Sequence, residues 1–387
     1  MLGCRSAVQA LIYLITHKKG ETMQKTRLGH SNIDVSRICL GTMTWGDRNT
    51  QSEAFEQMDY ALRHDVTFWD TAELYAVPPQ AETYGATETI IGQYFKQNPQ
   101  VRDKIVLASK IVGRTPHARP EGYPPHHHGL TWVREGHAQH DRKNINEALD
   151  NSLRRLQTDY LDLYQLHWPD RPAQRFGVRD FFVLDDPMAP TGNYDALFLD
   201  VLETMRDLIK AGKIRAWGLS NETAWGVMKY IQLAEKHGLP KPTSVQNPYS
   251  LLDRRDEMAL SEICLREDIA YLPYSPLGAG ALTGKYMNNQ WPEKARFTLA
   301  GQKGRYYNAK CNEAIAHYAG IAKAHGLNMA QMALAFCLQR PFVTAPIIGA
   351  TDMTQLATNI SSHDVVLSQE VLDAIHQVHE QNPNPGP

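Results

Sequence analysis

The chain is poor in cysteine and carries no excess of either charge. Its five cysteines, Cys4, Cys39, Cys264, Cys311 and Cys337, form no CxxC pair and leave one over. That disfavours a disulfide framework and a zinc knuckle, and points to a reducing compartment, the cytoplasm. With 40 Lys plus Arg against 42 Asp plus Glu the formal net charge is -2, so no whole-surface field would draw nucleic acid or anionic lipid. Any bound anion must be held by a local site. The apolar stretch from Ala7 to Ile15 is interrupted by Gln9 and far too short to span a bilayer, so no membrane partner is expected. No GxGxxG follows the first apolar strand, which reads ICLGTMTWG, and this argues against a Rossmann dinucleotide fold. At 42% hydrophobic and 21% charged residues, the composition excludes disorder and collagen-like structure.

The 387 residues exceed the ~150-residue prior for one domain, yet a single α/β barrel takes that length. Residues 1–22 hold one arginine, a broken apolar stretch and then basic HKKG where a signal peptide would want small residues for cleavage. They are expected to be an extension outside the fold. After Met23, the sequence QKTRLGHSNIDVSRICLG reads as a β-hairpin with Gly29, Ser31 and Asn32 in its turn, leading into a buried strand. The domain is therefore expected over residues 23–387.

Apolar runs bounded by turn residues predict strands at 38–40, 66–69, 105–108, 161–166, 214–219, 244–246, 269–273 and 344–348. Helical periodicities lie between them, as in Phe55, Met58, Leu62; Ile145, Leu149, Leu153, Leu156; and Val227, Tyr230, Ile231, Ala234. Regular β-then-α alternation demands a parallel sheet, and eight units in this length argue for an α/β fold closed into a single (β/α)8 TIM barrel.

Barrel enzymes do their chemistry at the C-terminal ends of the strands. Reading those ends gives Asp70, Lys110, His167, Ser220 with Asn221, Gln246 with Asn247, Tyr274 with Ser275, and Gly349. Taken singly, Asp70 could cap a helix, Lys110 could be a solvated charge and His167 a hydrogen-bonded core histidine. Their coincidence on one rim points to a convergent site.

Asp70 and Tyr75 in DTAELY, Lys110 in SK and His167 in LHWP resemble, in order and spacing, the Asp, Tyr, Lys, His tetrad of the aldo-keto reductases. YSPLGAGALTGKY (Tyr274–Tyr286) and IIGATDMTQLATNI (Ile347–Ile360) also look like that family, and the similarity runs from about residue 24 to 382. DRKNINEAL, SLRRLQTDYLDLYQLHWP, SNETAWGVMKY and QNPYSLL resemble the branch of the bacterial Tas-type reductases, relatives of the potassium-channel β-subunits. The resemblance implies reduction of a small-molecule aldehyde or ketone with NADPH, which leaves as NADP+. A hydride delivered to carbonyl carbon leaves charge on oxygen, so a donor must protonate it. Tyr75 is the implied acid; a nearby ammonium, Lys110, would lower its pKa from ~10, Asp70 would hold Lys110 charged, and His167 would hold the carbonyl oxygen.

The same resemblance implies a set of cofactor contacts. Ser220, Asn221 and Gln246 would read the nicotinamide carboxamide and Tyr274 would lie against its ring. Ser275, Leu277, Lys285 and Arg296 would hold the phosphate side, Thr351, Gln355 and Asn359 the adenosine side, and Thr42 is also assigned to the cofactor. Where the family commonly has Glu before the last Asn, this chain has Thr358, which puts one ribose or adenine contact in doubt. A carboxylate on the ribose 2′-hydroxyl would suit NAD instead; none stands among Lys285, Arg296, Thr351 and Gln355, although Asp352 is close in sequence.

Long connections at about 112–142, 168–194 and 284–309 would project over the rim and shape the pocket, with Trp45, Trp132 and Trp168 as candidate walls. His126, His127 and His128 stand in a proline-interrupted loop; adjacent histidines cannot all face one ion and no Cys or paired carboxylate joins them, so no metal site is expected. Two other readings remain open: an NADPH-occupied regulatory subunit with slow turnover, and a barrel lyase using Lys110 as a Schiff-base amine, which a neighbouring Asp70 would oppose by keeping the amine protonated.

Overall fold

The structure is a computed structural model; it describes residues 22–114, 130–174, 176, 194–293, 295–299 and 304–386. The extension 1–22, except its last residue, and the three adjacent histidines lie outside them.

Two antiparallel strands, β1 (Lys25–Arg27) and β2 (Asp34–Ser36), form the expected hairpin, with Lys25 opposite Ser36. Its turn is closed by Leu28 N donating to Ile33 O at 2.9 Å and Ser31 Oγ donating to Leu28 O at 2.7 Å. Gly29 is left-handed, and a Cβ there would lie 2.5 Å from Thr243 O, so only glycine lets the turn press against the body. Leu28, Ile33 and Val35 are buried against Cys39, Phe68, Ala108 and Leu163. The hairpin thereby covers one end of the main sheet.

That sheet has eight parallel strands: β3 (Cys39–Gly41), β4 (Phe68–Asp70), β5 (Val106–Ile111), β6 (Leu161–Leu166), β7 (Ile214–Ser220), β8 (Ser244–Gln246), β9 (Ala270–Tyr271) and β10 (Ile347–Ile348). Each pairs with its successor from β3 to β9, and β10 pairs with β3, Ile347 opposite Cys39. The segment entering β10 also reaches β9: Thr344 N donates to Tyr271 O at 2.9 Å and Ile347 N to Pro273 O at 2.8 Å. The sheet curls, consistent with a (β/α)8 barrel. Arg37, just before β3, donates to Val343 O at 2.9 Å and Thr344 O at 3.1 Å, and also to Leu338 O. It fastens the start of the sheet to its end.

The strands are almost wholly buried, as expected where helices cover a parallel sheet. Helix α1 (Gln51–Arg63) opens on a capping box between Thr50 and Glu53. Helices α2 (Ala86–Gln97), α3 (Arg142–Leu156), α4 (Asp195–Lys210) and α5 (Ala224–His237) follow β4 to β7 in turn. Ile145, Leu149, Leu153 and Leu156 of α3 and Val227, Tyr230, Ile231 and Ala234 of α5 are all buried, as their periodicity requires. Two strands are shorter than their apolar runs. Pro273 and Pro346 have no N–H for a ladder, so β9 and β10 keep only two residues each.

Candidate active site

Strand alternation turns the ends of β4 and β5 toward the same space. Asp70, the last residue of β4, and Lys110, next to last in β5, are 2% and 0% exposed. Lys110 Nζ donates to Asp70 Oδ2 at 2.5 Å, to Thr71 O at 2.8 Å and to Tyr75 OH at 3.4 Å. An ammonium so buried is tolerable only with such partners. Burial alone would lower the Lys110 pKa, but Asp70 and Tyr75 outweigh it and raise it, so the lysine stays charged. Burial raises the Tyr75 pKa; Lys110 pulls against this and Asp70 adds to it, with the net shift upward. The lowering expected of Lys110 is real but is outweighed by desolvation, and Tyr75 rests as a protonated phenol.

His167 follows β6 directly, and its ring stands edge-on to Tyr75 with centroids 5.7 Å apart. Burial, then the charges of Lys110 and His140, hold the imidazole well below its ordinary pKa of 6.5, so it is neutral. Its Nδ1 is buried without a partner among the described residues. A neutral imidazole ring beside a protonated phenol and a fixed ammonium makes a polar corner suited to an oxygen that gains charge.

Around this corner the other expected residues assemble. Gln246, ending β8, donates to Asp70 Oδ1 at 2.9 Å and to Gln165 Oε1 at 3.2 Å. Gln165 donates to the same Asp70 oxygen at 3.1 Å. Asn221 donates to His167 O at 2.9 Å and accepts from Tyr274 OH at 2.6 Å, while Ser220 Oγ donates to Gln246 O at 2.9 Å. Thr42 is fully buried, its hydroxyl donating to Asp70 O at 2.9 Å.

Beyond Tyr274 the chain runs through Ser275, Gly278, Ala279 and Gly280, all with positive φ. A Cβ on Gly280 would sit 2.9 Å from Lys285 Nζ, so the loop is shaped for that ammonium to lie across it. Leu277 O accepts from Gly280 N and Leu282 N at 2.9 and 3.1 Å, which ties the loop shut. Arg296 opens the short helix Arg296–Leu299. On the other side, Thr351 N donates to Gln355 Oε1 at 3.2 Å, and Asn359 Nδ2 to Gly349 O at 3.1 Å. Asp352 is accounted for locally: it caps the helix Met353–Ile360 at Gln355 N and accepts from Gln355 Nε2 at 2.5 Å. Thr358 donates back to Thr354 O at 2.8 Å. Cations beside a tight turn of positive φ suit a phosphate-bearing ligand.

A family model described as the aldo/keto reductase family matches residues 37–380. The chain belongs to the aldo/keto reductase family. It is 45% identical to "Protein tas" of Escherichia coli (strain K12) over 365 residues, 94% of this chain and 100% of that protein. It is 32% identical to "Uncharacterized oxidoreductase YrpG" of Bacillus subtilis (strain 168), over 94% of this chain and 97% of that protein. A "Probable voltage-gated potassium channel subunit beta" of Arabidopsis thaliana is 29% identical, over 93% and 98% of the two chains.

Against the expectations for this aldo/keto reductase, two tryptophans change role. Trp45 and Trp168 are 0% and 1% exposed, and their indole N–H groups donate to Gln57 Oε1 and Arg114 O, both at 3.0 Å. They are core residues, not pocket walls; Trp132 is only partly buried. Three residues were not anticipated. Gln165 is a wholly buried amide in a strand whose other side chains are mostly apolar, and that polar interruption was its signal. Glu73 is buried, accepts from Arg134 at 2.8 and 3.0 Å, from Tyr84 OH at 2.6 Å and from Val112 N at 2.7 Å, and so anchors Arg134, which lies between β5 and α3. Arg48 belongs to no motif. No helix among the described residues is long and apolar enough to cross a membrane.

Proposed function

We propose that this chain, folded over residues 23–387 as one closed (β/α)8 barrel with its long connections over the rim, reduces aldehyde or ketone carbonyls to alcohols with NADPH. The observation that carries the reading is Lys110 Nζ set between Asp70 Oδ2 at 2.5 Å and Tyr75 OH at 3.4 Å, with His167 alongside. Its donor set also fits the cofactor: amides where a carboxamide would need reading, an aromatic ring beside them, and cations beyond a loop whose left-handed turn at Gly280 favours glycine.

Bound NADPH would supply the hydride. Ser220, Asn221 and Gln246 would hold its carboxamide and Tyr274 its ring. Ser275, Leu277, Lys285 and Arg296 would take the phosphates, and Thr351, Gln355 and Asn359 the adenosine, with Thr42, whose hydroxyl donates to Asp70 O, also at the cofactor. The substrate oxygen would lie between Tyr75 OH and His167. Tyr75 gives its proton to that oxygen as charge develops, and the fixed ammonium of Lys110 stabilises the phenolate left behind. In alcohol oxidation the same phenolate takes the proton back. Neutral His167 orients the oxygen without competing for the proton.

Tyr75→Phe tests this directly. Carbonyl reduction should fall by at least ~100-fold, while NADPH affinity by fluorescence titration stays near the parent's. Activity within a few-fold of the parent would remove Tyr75 from the acid role.

A further inference from the structure

The segment after β3 folds back on itself, with Arg48 N and Asn49 N both donating to Thr44 O at 3.0 Å and Gly46 N to Asn49 O at 2.9 Å. It is fastened to the other end of the sequence. Asn49 Nδ2 donates to Thr351 O at 3.0 Å, and Gln57, which holds Trp45, donates to Ala350 O at 3.3 Å. These bonds set Arg48 beside the turn assigned to the adenosine end. Its side chain is only 14% exposed, and its one ion-pair partner among the described residues, Asp47, is 3.6 Å away.

Two more cations, Arg296 and Lys285, feel its charge. Burial, then the like charges of Arg48 and Arg305, hold Arg296 below the ordinary arginine pKa. Burial lowers Lys285 against the opposing pull of Asp352, and Arg48 adds to the lowering. Among the described residues neither Lys285 nor Arg296 forms an ion pair. Arg48 thus faces both other cations from a loop held in place by ordered backbone, and its repulsion of each is costly unless an anion joins them.

We propose that Arg48 is a third cation for the 2′-phosphate of the dinucleotide, reaching it from the loop after the first barrel strand. The inference rests on the NADPH reading above. A dianion gives each cation a charge-assisted contact, and Arg48 adds a fork of donors that the lysine lacks. Selectivity for the phosphorylated cofactor then depends on the Asn49–Thr351 tie as well as on the glycine-rich loop.

The test is binding of 2′,5′-ADP and of 5′-AMP, followed by calorimetry, to the parent, Arg48→Gln and Arg48→Lys. In Arg48→Gln the Kd for 2′,5′-ADP should rise about tenfold while that for 5′-AMP moves less than about twofold, and Arg48→Lys should recover much of the loss. Unliganded Arg48→Gln should melt no lower than the parent, because it loses a repulsion. An unchanged Kd for 2′,5′-ADP, equal weakening of 5′-AMP, or a lower melting temperature would each overturn the assignment. A parent that does not prefer 2′,5′-ADP would sink the NADPH reading itself; a parent that does, with Arg48→Gln indistinguishable from it, sinks this inference alone.

Discussion

Gln246 donates its side-chain amide to Asp70 Oδ1 at 2.9 Å. The residue proposed to read the nicotinamide amide and the residue that holds Lys110 therefore share one hydrogen bond, and Gln165 bonds to both. One carboxylate couples the cofactor's seat to the position of the lysine.

Asp70→Asn should show that coupling. It leaves Lys110 buried without its counter-ion, and breaking a buried pair in this way costs about 3–5 kcal/mol. Both the melting temperature and the reduction rate should drop, with NADPH affinity changed as well. A variant as stable as the parent would mean that Thr71 O and Tyr75 OH suffice to hold the ammonium.

His167 sets a pH dependence. Its folded pKa lies well below 6.5, so the unfolded chain takes up a proton there that the folded chain refuses. The stability involved is present above pH ~6.5 and is lost as the pH falls toward the folded pKa. His167→Gln removes this proton uptake. Between about pH 7.5 and 5.5 the parent's melting temperature should fall further than the variant's; parallel curves would show that the imidazole is not responsible.

Glu73→Gln probes the support beneath Tyr75. It leaves Arg134 buried beside a neutral amide, at a cost of a few kcal/mol, and frees the connection that carries Trp132. A lower melting temperature and a raised KM are expected, with a smaller effect on kcat. A change in kcat alone would place the pair closer to the reacting atoms than its hydrogen bonds indicate.

Gly92→Ala decides between two opposing effects. Alanine improves helix propensity by about 1 kcal/mol, but its Cβ would lie 2.0 Å from Arg155 O and 2.9 Å from the Leu156 carbonyl carbon. Backbone cannot yield as a side chain can, and overpacking costs about 1–3 kcal/mol or more. Urea unfolding should show a net loss; a stabilised variant would mean that α2 and α3 separate freely.

The eight strands were legible because burial on both faces leaves continuous apolar runs, and the rim because Asp70, Lys110 and His167 interrupt those runs at equivalent ends. The hairpin was legible through Gly29 and Ser31. Less legible were contacts made across long sequence separations. The bonds of Gln165 to Asp70 and of Glu73 to Arg134 join residues 95 and 61 positions apart, and no local pattern announces them. Trp45 and Trp168 misled because an aromatic near a rim motif reads alike whether it lines a pocket or fills the core. The sign of the shift at Tyr75 also escaped the sequence, since desolvation depends on everything packed around the phenol.

Arg37 grips carbonyls of residues 338 to 344, at separations of up to 307 positions. During synthesis Arg37 emerges long before these partners, and until they follow, β3 has no neighbour on its β10 side. An open edge of parallel sheet is slow to find its match and prone to pair with other chains. The growing chain therefore carries this open edge while everything between β3 and β10 is made, and its yield in a cell should depend on chaperone supply more than its final stability would suggest.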